Sequence, residues 1–288
     1  MNTYIERFKL QYKLADTTQR LIYWNCLCFI LSLLFFYSFK SQQFHFSEWI
    51  ALVPTKNTLF LKPYTLFTYM FLHAGFLHLL FNMIMLHFAG RLFVTFFTQK
   101  QLLGTYILGG LFSGFIFVIA FLLMGKSALL VGASGAVMAL LIAVTVYAPY
   151  MNLRLALVGN VKLWLVTAVL LFLDLVQIGF SNTGGHLAHL AGAFFGYLFV
   201  YFLRKGTDIT AWVSKIELLF TSLFTKKKSQ PFKKVHRTKK ATPTNNVKSP
   251  LDKTEKQKQI DVILDKISQS GYDALTKEEK AFLFKAGN

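Results

Sequence analysis

Apolar residues in this chain do not alternate with polar ones; they arrive in blocks. Six blocks are nearly free of charge, at about Leu21–Phe39, Leu66–Phe88, Leu102–Met124, Gly132–Tyr147, Val161–Ile178 and His186–Leu203. Apolar runs of about 18 residues or more can cross a hydrocarbon core as helices, so the pattern predicts six transmembrane helices. The long connection after the first carries Phe44, Phe46, Trp49 and Ile50 and reads as a segment lying in the membrane interface. Beyond the sixth, Thr210–Phe224 spaces Trp212, Val213, Ile216, Leu219, Phe220 and Phe224 as an interfacial helix would. Residues 226–258 are lysine-rich, with Pro231, Pro243 and Pro250, and read as a flexible linker. Helical spacing returns at Ile260, Ile263, Leu264 and Ile267, Gly271 is a stop, and Thr276 with Glu279 fits a capping box ahead of Phe282 and Leu283. The expected fold class is an all-α membrane protein: a six-helix bundle followed by a short soluble helical hairpin. Its divisions are an N-terminal segment 1–20, a membrane domain 21–204, a basic juxtamembrane segment and linker 205–258, and a hairpin 259–288.

Composition agrees with a membrane setting. Hydrophobic residues make up 54% of the chain, with 31 Phe, and the mean hydropathy is +0.46. The net charge of +18 is unevenly spread. Residues 1–203 carry twelve Lys/Arg against four Asp/Glu, and residues 204–288 nineteen against nine. Six spans put both termini on one side, and Arg7, Lys9, Lys13 and Arg20 at one end with Arg204, Lys205 and the later lysines at the other make that side cytoplasmic. Arg91, Lys100, Arg154 and Lys162 then fall inside as well, while Gly179–Gly185 has no Lys or Arg, as an outer connection should. Lys40, Lys56, Lys62 and Lys126 are exceptions. The basic tail suits anionic lipid headgroups or simply enforces orientation; no nucleic-acid module accompanies it. Cys26 and Cys28, two apart on a helix, make neither a disulfide framework nor a metal pattern. No cleavable signal peptide precedes the first span, since about twenty polar residues come first.

The chemistry sits at the heads of three blocks that run in the same direction. Ser134 is flanked by Gly132 and Gly135, which permit a tight turn that presents a nucleophilic hydroxyl; small residues there also simply allow close helix packing. His189 heads the sixth block beside a stripe of Ala188, Gly192 and Gly196, which matches Gly135 and Ala139 on the fourth. An ionisable group in a span is a functional candidate, and His189 is favoured as base over His186, read as a rim residue. His78 and Asn82, four apart, share one face of the second span. They suit either an oxyanion pocket completed by the Ser134 main-chain N–H or structural bonding between helices. His73 lies nearer the surface, and His87 reads as interfacial at the cytoplasmic end. Asp174, the one acid within a span, is read as facing water or the adjoining loop rather than orienting His189.

Taken together, Pro63-Tyr64-Thr65, Tyr69 to His73, His78 with Asn82-Met83, Gly132-Ala133-Ser134-Gly135, and Ala188-His189 with Gly192 and Gly196 resemble the rhomboid family of intramembrane serine proteases. The resemblance covers about residues 20–204. It implies a Ser134–His189 dyad without an acid, and an oxyanion hole from His78, Asn82 and main-chain N–H. It also implies a water-filled cavity open to the outside, no metal and no cofactor. Substrates would be single-span membrane proteins with a helix-weak stretch, admitted by movement of the fifth span. Two positions depart from the family pattern: Tyr64-Thr65 stands where many members have Trp-Arg, and Met138 where some carry an aromatic ring. The terminal hairpin is similar to an appendage on some bacterial relatives, which favours a bacterial inner membrane. Two alternatives remain: an inactive relative that binds membrane proteins without cutting them, and a metal- or haem-binding protein using His73, His78, His186 and His189.

Overall fold

The computed structural model describes residues 2–155, 159–224 and 251–286. It divides into two compact units, Met1–Lys227 and Lys228–Asn288. The expected linker at 226–258 falls largely outside the described residues.

The first unit is helical. After α1 (Asn2–Leu14) and α2 (Thr17–Phe36), a short antiparallel pair joins β1 (Tyr37–Ser38) to β2 (Gln43–Phe44), and α3 (Lys56–Phe60) and α4 (Thr65–Thr68) are brief turns. Then come α5 (Phe76–Phe96), α6 (Gln99–Met124), α7 (Ser134–Tyr147), the hairpin β3 (Asn152–Leu155) with β4 (Gly159–Lys162), α8 (Leu163–Gln177), α9 (Thr183–Arg204) and α10 (Ala211–Phe224). Four of these, α2, α5, α6 and α9, are long and apolar enough to cross a membrane; α7 and α8 are apolar but only 14 and 15 residues long. The protein is an integral multi-pass membrane protein.

The second block departs most from its expected bounds. Helix α5 starts at Phe76, not near Leu66, and it runs through Gly90 and Arg91 to Phe96. The apolar residues 65–71 instead form α4 and a 3-10 turn, Tyr69–Phe71. Tertiary bonds hold them there: the Tyr69 hydroxyl donates to the Gly110 carbonyl at 2.8 Å, and Thr68 Oγ1 donates to the Ile50 carbonyl at 2.6 Å. These bonds anchor the long connection to α6 and to its own earlier part. Leu52 and Leu130 exchange backbone hydrogen bonds, tying that connection to the segment before α7.

Helix α7 is the centre of the bundle. Gly135 through Val144 are all buried, with α5, α6 and α9 packed around them. Small residues bring the neighbours close. A Cβ on Gly192 would collide with the Gly135 carbonyl oxygen, and one on Gly196 with that of Ala139.

In the second unit, α11 (Leu251–Ser270) and α12 (Lys277–Ala286) flank a 3-10 turn at Tyr272–Ala274. The Lys266 ammonium lies 2.9 Å from both carboxylate oxygens of Glu279, and Thr276 and Glu279 exchange capping bonds of 2.8 and 3.2 Å.

Candidate active site

Ser134 is the first residue of α7, so its hydroxyl sits at the helix mouth. The entry depends on Gly132, whose φ of +128° is a conformation L side chains rarely adopt. A Cβ there would also lie 2.9 Å from Nε2 of His78. The Gly132 N–H donates to the Tyr69 carbonyl at 3.0 Å, which fixes the turn from behind. No side chain caps α7, and the N–H groups of a helix's first turn have no acceptor within the helix. The α7 mouth therefore combines a hydroxyl, main-chain donors and the positive end of a helix dipole.

His78, in the first turn of α5, stands across from that mouth. The Ala74 N–H donates to its Nδ1 at 3.3 Å. A neutral ring that accepts at Nδ1 carries its proton at Nε2, the atom beside Gly132. Asn82 follows one turn later; it is buried and donates to the His78 carbonyl at 2.9 Å. An amide has a second N–H to offer. His73 lies just ahead of α5, fully buried, its ring packed edge-on to His78 with centroids 5.2 Å apart. His87 is exposed on the far part of α5.

His189 comes from α9, whose start is set by Asn182: its side chain accepts from the Gly185 N–H at 3.3 Å. Nδ1 of His189 is 2.9 Å from Oδ1 of Asp174 on α8, and Nδ1 of His186 is 2.8 Å from the same oxygen. The reading of Asp174 as facing water or a loop is thus corrected: it is 7% exposed and holds both histidines. His186 shares this cluster and is not merely a rim residue. The sequence carried one signal for Asp174, a lone acid within an apolar block. What it lacked was the rotational phase of α8 against α9.

Ser134, Asn82, Met138, Asp174 and His189 line one cavity of about 320 Å³ between α5, α7, α8 and α9. Phe81 from α5 and Leu173 from α8 complete its lipid side, both largely exposed. Of the four histidines considered as ligands, His186 and His189 meet at Asp174, while His73 and His78 adjoin each other at the α5 side. The ligand atoms of Asp174, His186 and His189 lie within 4.8 Å of one another, so among the described residues these three could hold a metal ion. Their closest separations are those of hydrogen bonds.

The Rhomboid domain model matches residues 61–206, a stretch that contains every residue of the cavity. Residues 249–285 match a family of unknown function, DUF6576. No curated protein matches the chain.

Proposed function

Since the chain belongs to the rhomboid family, of the intramembrane-protease type, we propose that it is an active serine endopeptidase that cuts membrane proteins in or near single transmembrane segments. The observation that carries this reading is the shared cavity, in which Ser134 of α7 and His189 of α9 face the same space.

The chemistry follows from the protonation pattern. Ser134 Oγ attacks the scissile carbonyl carbon and its proton passes to Nε2 of His189. Negative charge develops on the carbonyl oxygen, where Nε2–H of His78, the Asn82 amide and the Ser134 main-chain N–H donate to it. Collapse of the tetrahedral intermediate breaks the C–N bond, and His189 returns the proton to the departing amine. Water, deprotonated by His189, then releases the acyl group from Ser134. Gly132 and Gly135 shape the nucleophile's turn, Gly192 and Gly196 set the distance between α7 and α9, and His73 backs His78.

We read six crossings, with α7 and α8 as short ones, and both termini cytoplasmic in a bacterial inner membrane. The charge pattern supports that orientation. Substrate helices enter sideways between α5 and α8, because the cavity wall there is formed by apolar residues that face outward. The basic composition of the tail, from Arg204 and Lys205 onward, suits anionic headgroups, and α11 with α12 form a soluble helical hairpin.

The test is cleavage of a model single-span substrate in proteoliposomes, with labelling of Ser134 by a fluorophosphonate. Wild-type protein is expected to cut and to label, and S134A and H189A to do neither. Undiminished cleavage by S134A refutes the assignment, and wild-type protein that binds substrate without cutting is the inactive relative.

A further inference from the structure

We infer that Asp174 is a positioning residue that holds His189 with its acceptor nitrogen toward Ser134, so that the site works as a serine–histidine–carboxylate relay. This rests on the proteolytic reading of the same cavity and adds a member to it.

A carboxylate is acceptor-only when ionised. Its Oδ1 lies 2.9 Å from Nδ1 of His189 and 2.8 Å from Nδ1 of His186, so both rings present N–H at Nδ1. A neutral imidazole has one N–H, hence Nε2 of His189 carries a bare lone pair. That is the atom a serine hydroxyl needs as proton acceptor. A ring protonated at Nε2 would turn a donor, not an acceptor, toward the serine, and an unheld ring is free to take that form. His78 shows the contrast: Ala74 N–H at Nδ1 puts its proton on Nε2, as an oxyanion donor requires. Asp174 and the Ala74 N–H thus set opposite tautomers in His189 and His78.

The carboxylate also acts later in the reaction. When the serine proton arrives, His189 becomes a cation 2.9 Å from Asp174, and the adjacent opposite charge favours that protonated ring. The other titratable groups near it are His186, which shares the same oxygen, and His78 with His73 packed against it; among the described residues no second carboxylate lines the cavity. A purely structural tie between α8 and α9 is complete with His186 alone. The added bond to His189 is what a tie does not require.

Intact protein in proteoliposomes, as D174A and D174N, tests this. Both variants are expected to lower kcat by about 100-fold with KM within about twofold, the range of a general acid–base contribution, and to slow fluorophosphonate labelling of Ser134 in parallel. Nitrogen NMR of ring-labelled histidines supplies a readout that needs no active variant: wild-type His189 is expected as the Nδ1–H tautomer. A D174A enzyme with unchanged kcat overturns the inference, as does a rise in KM alone, which would make Asp174 a helix tie. Wild-type His189 found as the Nε2–H tautomer overturns it too. Those outcomes leave the protease reading intact; wild-type protein that neither cuts nor labels removes both.

Discussion

Helices α7 and α8 are nearly the same length and similarly apolar, yet the bundle treats them oppositely. Ten consecutive residues of α7 are buried, whereas α8 buries Leu163, Thr167 and Asp174 and leaves Trp164, Leu165, Val169, Phe172, Leu173, Leu175 and Val176 exposed. The difference lies in side-chain size. Gly135 and Ala139 let neighbours approach α7 to backbone contact, and α8 offers no such stripe. Ser134 therefore sits on the most enclosed helix of the bundle and Asp174 on a largely exposed one. A rigid seat for Ser134 is combined with a cavity wall that faces lipid.

Mutations can break this contrast. The largest effect is expected from Gly192→Leu, which drives a side chain into the Gly135 carbonyl at the α7–α9 contact; overpacking against backbone costs about 3 kcal/mol or more, and the protein should fail to accumulate in membranes. Leu140→Ala on α7, at a fully buried position, should cost about 3 kcal/mol in a reversible unfolding assay. His78→Ala should leave that stability nearly unchanged while lowering kcat by about 100-fold, the loss of one oxyanion donor. The counterpart on α8, Leu173→Ala, 45% exposed, should shift unfolding by no more than about 0.5 kcal/mol. Equal costs at Leu140 and Leu173 would erase the distinction between the helices.

The smallest effect lies in the second unit. The Lys266 ammonium, with the Thr276 N–H, holds the Glu279 carboxyl below its ordinary range. A carboxyl depressed on folding stabilises above its unfolded-state range, and that contribution disappears as pH falls through the lower folded-state value. Hydrogen exchange along α11 and α12 should accelerate in that acidic window in wild-type protein, and E279Q should abolish the pH dependence.

How far the sequence was legible depended on how local each determinant is. The bounds of α6 and α9 were readable within about three residues, because Thr98 and Asn182 cap their starts from the adjoining sequence. The start of α5 was not, because residues 65–71 are as apolar as a span and only bonds to Ile50 and Gly110 turn them aside. The β3–β4 hairpin was missed because the alternation in Asn152–Leu155 lasts only four residues, too short a run to stand out. In and beside the cavity, Ser134, His189, Asn82 and the neighbouring His78 stood out by type and spacing. The bond from Asp174 did not, since it depends on the faces two helices present to each other across a turn.

The brevity of α7 has a consequence for the lipid around it. Fourteen residues rise about 21 Å, while a typical hydrocarbon core is roughly 30 Å thick. With one end at an interface, the other stops about 9 Å short of the opposite headgroups, and the unpaired amides of its first turn attract solvent into what would otherwise be oil. On the proteolytic reading, bilayer thickness becomes a control on turnover: long acyl chains that starve this dip of water should slow the hydrolytic step, and short ones should relieve it.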